Sequence, residues 1–311
     1  MTKLPEPAFS CVTIPEPGLR RVLAPNPSPM TERGTNTYLV GKGAVAVIDP
    51  GPDDASHLQK ILGALGPEER ISHILVTHAH KDHSPLARRL AARTGAPVLG
   101  FGPHDAGRSA LMEHLAAEGL GGGEGIDADF LPDHALADGA VIEGAGWRIE
   151  AVWTPGHLSN HLCFAWQGAL FTGDHVMGWA SSLVSPPDGD LTAFMASCDR
   201  LAARSDRVYY PGHGAPVQDP AERIGWLIAH RRAREAQILA ELDAAPADAA
   251  TLAHRIYRDT PAPLLPAAER NVLAHLIDLS SRGMVAPLGP LGPGTVFRPV
   301  ADGDGIIATK S

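Results

Sequence analysis

The sequence is short of cysteine. Cys11, Cys163 and Cys198 stand alone among 311 residues, with no Cys-x-x-Cys spacing. That excludes a disulfide scaffold and a zinc ribbon, and it fits a reducing compartment. Long hydrophobic runs are also missing: no stretch approaches the roughly 20 apolar residues of a membrane-spanning helix. The first ten residues, MTKLPEPAFS, lack the apolar segment of a signal peptide, so a cytoplasmic location is expected. Positive charge is in deficit as well. Lys and Arg number 26 against 35 Asp and Glu, for a formal net charge of −9. Bulk electrostatics of that sign disfavour duplex DNA and anionic membranes as partners. Hydrophobic residues at 44% and charged residues at 20% exclude wholesale disorder. The length allows one large or two ordinary domains with a core that needs no staples.

What the chain has in quantity is first proline and then a change of period. Pro5, Pro7, Pro15, Pro17, Pro25, Pro27 and Pro29 mark an extended lead-in with few helices. Tyr38–Val40 and Ala44–Ile48 read as strands joined by a Gly41-Lys42-Gly43 turn. Asp53-Asp54 then offers caps for a helix with Leu58, Ile61, Leu62 and Leu65 on one face. A strand is expected over Ile71–Val76, a helix capped by Ser84 over Leu86–Arg93 and closed by Gly95, and a strand over Val98–Phe101. Strand and helix in alternation are the α/β signature. Gly119–Gly125 reads as a loop. Trp147–Trp153, Leu162–Trp166 and Ala169–Thr172 read as meandering strands, so the sheets are mixed. Past Pro220 the pattern turns helical: Ala221–Leu242, Leu252–Arg258 and Ala267–Ser281. These features divide the chain into a mixed α/β domain over 1–218, a helical domain over 219–290 and a tail over 291–311, with loose packing expected from residue 287 onward.

Fifteen histidines are many for this length, and several sit beside Asp, Gly or Thr. At the end of the Ile71–Val76 strand runs T-H-A-H-K-D-H, which holds His78, His80, Asp82 and His83. Four nitrogen or oxygen donors within six residues suit a borderline metal such as zinc. Three further ligand-type residues follow glycine at expected strand ends: His157 in T-P-G-H, Asp174 in F-T-G-D and His213 in Y-P-G-H-G. Seven donors exceed the three or so that one catalytic zinc takes. They match two metals sharing a carboxylate. The other histidines, His57, His73, His104, His114, His134, His254 and His275, are read as ordinary structural residues. His161 and His175 are read as supporting or core residues.

The order H-x-H-x-D-H, T-P-G-H, G-D, P-G-H-G resembles the metallo-β-lactamase-fold hydrolases over roughly residues 30–218. The resemblance implies an αββα sandwich with the site at the strand edges. It also implies one metal on His78, His80 and His157, a second on Asp82, His83 and His213, and Asp174 bridging. Two Zn²⁺ are the expected cofactors, with Mn²⁺ or Fe as alternatives. A bridging hydroxide would be the nucleophile, oriented by Asp82, while Asp174 holds the metals at their spacing. Two departures stand out. Ser84-Pro85 replaces the glycine pair that often follows the first motif. No cysteine sits where the true lactamases of the family often place one, which lowers the lactam reading.

Downstream, L-I-A-H-R-R-A-R-E from Leu227 and E-R-N-V-L-A-H-L from Glu269 are similar to the β-lactamase-like protein 2 branch, in which a winged-helix-like domain follows the sandwich. That branch includes endoribonucleases preferring single-stranded RNA, which makes RNA the leading substrate by resemblance. His230, Arg231 and Arg234 are then candidate substrate-binding residues, since an arginine fork suits phosphate. A solvated helix face is the ordinary alternative for them. The runner-up substrate is a thioester or small acyl ester, as in glyoxalase II-like members. A third reading, of another class, is a metal-binding protein without activity. The winged-helix-like module is expected to dock near the mouth of the site, because the chain runs from His213 straight into its first helix.

Overall fold

A computed structural model describes residues 12–122 and 125–300. Cys11 and the segment 301–311 lie outside the described residues, as do positions 123–124 of the expected loop. From Val12 the described residues run through five strands and a helix: β1 (Val12–Glu16), β2 (Leu19–Leu23), β3 (Asn36–Val40), β4 (Ala44–Ile48), α1 (Ala55–Gly63) and β5 (Arg70–Leu75). Then come α2 (Leu86–Thr94), β6 (Val98–Gly100), α3 (Ala110–Ala117) and β7 (His134–Ala135). These strands form one sheet in the order β1-β2-β3-β4-β5-β6-β7. A second sheet, ordered β12-β11-β10-β9-β8, comprises β8 (Val141–Gly144), β9 (Trp147–Trp153), β10 (Leu162–Trp166), β11 (Ala169–Gly173) and β12 (Val208–Pro211). Helix α4 (Leu191–Ala202) lies between β11 and β12 in sequence.

The runs of apolar residues in the central strands follow from burial on both faces. In β4, Ala46 and Ile48 point into the core between the sheets, while Val45 and Val47 meet the helices outside. In β10, Leu162, Phe164 and Trp166 face inward, and Cys163 faces the outer layer beside Val152, Phe194 and Cys198. Helices α1 and α2 cover the first sheet with Leu58, Ile61, Leu86 and Leu90. The result is the expected αββα sandwich.

Beyond it lie α5 (Pro220–Ala244), α6 (Ala249–Ile256), α7 (Leu265–Ser281) and a hairpin of β13 (Val285–Pro287) with β14 (Phe297–Pro299). Their core is continuous with the sandwich. Met112 and Leu115 of α3, with Leu120, pack among Ile238, Leu242, Leu252 and Leu276. Ile224 and Leu227 of α5 and Ala274 of α7 join the layer over the second sheet. The module is therefore docked along the sandwich.

Two expectations need correction. The segment 291–311 does not begin as a loose tail: Phe297 is fully buried and its backbone pairs with Ala247 at 2.9 and 3.1 Å. Ser84 does not cap α2. Pro85 holds the N-cap position without a side-chain bond, and the Ser84 hydroxyl donates to Asp127 instead, at 2.6 Å.

Candidate metal centre

Four chain segments bring the seven residues to one edge of the sandwich. His78, His80, Asp82 and His83 follow β5, His157 lies between β9 and β10, Asp174 follows β11 and His213 follows β12. Backbone bonds lock the segments together: Leu162 N–H to Thr77 O at 2.7 Å, Gly212 N–H to Gly173 O at 2.7 Å, and Asn36 N–H to Gly212 O at 2.7 Å. The glycine at 212 is needed for space. A Cβ there would stand 2.5 Å from Asp174 Oδ1 and 2.6 Å from the His83 ring.

The donors fall into two groups that share Asp174: His78, His80, His157 and Asp174 on one side, Asp82, His83, Asp174 and His213 on the other. Within each group the ligand atoms lie within 4.8 Å of one another. The surrounding hydrogen bonds fix which ring nitrogens carry protons. Thr77 Oγ1 donates to Asp49 at 2.8 Å, so it accepts from His78 Nδ1 at 2.9 Å. His157 Nδ1 donates to Leu183 O at 2.6 Å. His83 Nδ1 donates to Asp49 Oδ2 at 2.9 Å, and His213 Nδ1 to Gly34 O at 3.2 Å. In each ring the Nε2 is thereby turned into the cluster.

His78 Nε2 and His157 Nε2 both face His80 Nδ1, at 2.9 and 3.1 Å. One proton on His80 cannot serve two lone pairs, and Asp174 Oδ1 has no hydrogen-bond partner. A cluster of buried acceptors aimed at one another is stabilised by a cation. The donor set of imidazole and carboxylate fits zinc.

The two groups differ electrostatically. Burial keeps His78, His80 and His157 neutral, with His80 pushed down to about 3. Burial opposes charge on His83 and His213 too, but there the aspartates outweigh it. Asp82, Asp174 and Asp49 raise His83, and Asp174 with Asp82 raises His213 to about 9. Burial likewise opposes the Asp174 charge, and the His213 and His83 rings overcome it and hold the carboxyl well below its usual range. Both shifts reflect the carboxylate charge gathered at this group, which a divalent ion would also balance.

The substrate-side candidates sit elsewhere. Arg231 is 3% exposed, so the expectation that its fork meets a phosphate is not met. Its guanidinium donates to Ser182 O and, at 3.0 Å, to Asn271 Oδ1, and it lies over the Phe194 ring. Arg234 donates to Gln237 at 2.7 Å and stacks over Tyr257. His230 stacks on Trp226, with ring centroids 4.9 Å apart. Among the described contacts, none of the three bonds to the seven donors. His161 bonds Thr154 at 2.9 Å and His175 approaches Cys198, which makes them core residues.

Asp49 and Thr77 were not among the candidate residues. Asp49 follows an apolar strand and stands just before Pro50-Gly51, a strand-end position like that of Asp174, so a signal was present. The groove next to His213 was also missed. It has a volume of about 510 Å³ and is lined by Glu32, Trp179, Asp219, Glu222, Arg223 and Trp226 among others. Glu32 and Trp179 crowd Gly214, where a Cβ would stand 2.7 Å from each.

Comparison with known proteins agrees with this geometry. Residues 30–213 match the metallo-beta-lactamase superfamily, and residues 249–289 match the beta-lactamase associated winged helix domain. A beta-lactamase-like protein 2 homolog of Drosophila melanogaster is 33% identical over 85% of this chain and 88% of that protein. An atrochrysone carboxyl ACP thioesterase of Aspergillus fumigatus is 31% identical over 74% of this chain and 67% of that protein. A metallo-beta-lactamase family protein of Thermus thermophilus superposes with a TM-score of 0.74 at 28% identity, covering 92% of this chain and 99% of that one. With its two ligand groups sharing one aspartate, and with a helical module docked against the sandwich, the chain belongs to the metallo-beta-lactamase superfamily of hydrolases and carries the winged helix domain associated with it.

Proposed function

We propose that the protein is a two-zinc hydrolase of thioesters or small acyl esters, with His78, His80, Asp82, His83, His157, Asp174 and His213 as metal ligands. The observation that carries the metal centre is the convergence of five ring nitrogens and two carboxylates into two groups that share Asp174, with the ligand atoms of each within 4.8 Å of one another. Bound zinc supplies Lewis acidity and makes water ionisable near neutral pH. The protein's own part is positioning. Asp174, shared by both groups, sets their separation. Asp82 keeps 28% of its side chain exposed, so its carboxylate reaches the cleft and is assigned to accept a hydrogen bond from the attacking water. Burial of His78, His80 and His157 keeps those rings in the neutral, ligating form.

The groove beside His213 favours an acyl substrate over RNA. Glu32, Asp219 and Glu222 line it against a single cation, Arg223. That guanidinium is already spent on Met177 O at 2.6 Å, Ala180 O at 2.7 Å and the Trp226 ring. Such a surface repels a phosphodiester chain, and its two tryptophans suit an apolar acyl group. The relative named as an ACP thioesterase supports the same reading.

The experiment offers zinc-loaded protein a panel of acyl thioesters and a fluorescent single-stranded RNA. Thioester turnover without RNA cleavage is expected. RNA cleavage without thioester turnover overturns the substrate assignment. Two bound zinc ions with neither activity would favour a metal-binding protein that lacks catalysis.

A further inference from the structure

Arg231 is a buried arginine for which no carboxylate partner appears among the described ion pairs, and its Nε has no hydrogen-bond partner. Burial, the largest influence on it, pulls its guanidinium down to about 10. Burying an unpaired cation is expensive, and an apolar side chain would fill the same space at lower cost. What it holds is therefore informative. One nitrogen donates to Ser182 O and another, at 3.0 Å, to Asn271 Oδ1. The same Asn271 oxygen accepts from Val184 N–H at 3.1 Å, while Asn271 Nδ2 donates to Ala267 O at 3.2 Å. Both lone pairs of that oxygen are then used, so the amide cannot flip.

Val184 N–H belongs to the same planar peptide unit as Leu183 C=O. In a trans peptide the two groups point in opposite directions, so fixing one aims the other. Leu183 O is the acceptor that holds His157 Nδ1–H at 2.6 Å and turns Nε2 into the cluster. The neighbouring Ser182 hydroxyl bonds Asp174 O at 2.5 Å and His175 O at 2.8 Å, which ties the same loop to the shared aspartate. Arg231 lies in α5 and Asn271 in α7. Both therefore belong to the helical module, and both fall in the stretches whose motifs the site itself does not use.

We propose that Arg231 and Asn271 are positioning residues that aim the Leu183–Val184 peptide at His157, so that the helical module completes one half of the metal centre. The proposal rests on the two-metal reading above. It makes the module part of the metal site even where it touches no substrate.

The test is zinc titration of the full-length protein against a competing chelator. His80→Ala serves to assign the phase that belongs to the His78, His80 and His157 group. Asn271→Leu and Arg231→Met should weaken zinc at that group by about tenfold or more, the lower end for a supporting partner of a ligand. The Asp82, His83 and His213 group should keep its affinity. Asn271→Asp retains the oxygen that Arg231 and Val184 share, and should bind zinc as the wild type does. A purely structural role gives a different result: lower Tm, with both affinities unchanged or reduced in step, and either outcome overturns the proposal. If Asn271→Leu fails to fold, Arg231→Met decides, since Met refills the space over Phe194. A wild type that binds no zinc would remove the two-metal reading itself, and this proposal with it.

Discussion

Asp49 holds a backbone φ of 51° at the end of β4. Aspartate tolerates that region better than most residues, though at some cost in strain. The conformation places both carboxylate oxygens: Oδ1 accepts Thr77 N–H at 2.7 Å, and Oδ2 accepts the Thr77 hydroxyl and His83 Nδ1. Asp49→Ala leaves these three buried donors without a partner. It should cost about 2–4 kcal/mol by urea denaturation and weaken zinc at the His83 group about 10–100-fold. His57 gives a pH prediction away from the metals. It is fully buried beside Thr37, with Nε2 2.8 Å from Oγ1. Burial lowers its pKa from 6.5 to about 4. The unfolded chain thus binds the proton first, and stability falls as pH drops from about 6.5 toward 4. This histidine contributes at most about 3 kcal/mol to that loss. Urea curves at pH 7 and pH 5 should diverge less for His57→Gln than for wild type. Equal divergence would place the acid sensitivity elsewhere.

At the scale of elements, the β13–β14 hairpin is an example of packing overriding composition. Gly292, Pro293 and Gly294 make its segment look unstructured, yet Phe297 is fully buried among Ala247, Leu276 and Val285. Phe297→Ala should cost about 3 kcal/mol, measured as a shift of the urea midpoint. One aromatic in a glycine-rich stretch carries no period, which is why this strand was not legible. By contrast, β4 and β9 match their expected limits, because each begins just after a glycine turn. The limits of α5 and α7 extend only a few residues past those read from the sequence. Helix α3 buries only Met112 and Leu115 in eight residues, too weak a stripe to read. Helix α4 was readable and missed: Asp190 caps it, and Leu191, Phe194, Cys198 and Leu201 share a face. In the site, the density of donors in T-H-A-H-K-D-H made His78, His80, Asp82 and His83 legible, and a preceding glycine marked His157, Asp174 and His213. Arg231 was not, because a sequence gives no sign of which way a helix face turns. The supporting carbonyls of Leu183 and Gly34 leave no side-chain signature at all.

Across the whole molecule, sandwich and helical module share cores through Met112, Leu115, Ile224, Leu227 and Ala274. Truncation after Val217 should therefore expose those apolar faces and give insoluble protein. A soluble, monomeric fragment that binds two zinc ions would show that the module is dispensable. No described helix is long and apolar enough to cross a membrane. The central claim is that two metals are held by seven side chains that meet at one sandwich edge. Zinc titration of full-length protein purified without chelators, with elemental analysis of the saturated form, tests it most directly. The expected result is two ions per chain in the wild type, one in His80→Ala, and weakened binding at both groups in Asp174→Ala, since both share that carboxylate. Saturation of the wild type at one ion, or no binding with all seven donors intact, would contradict it.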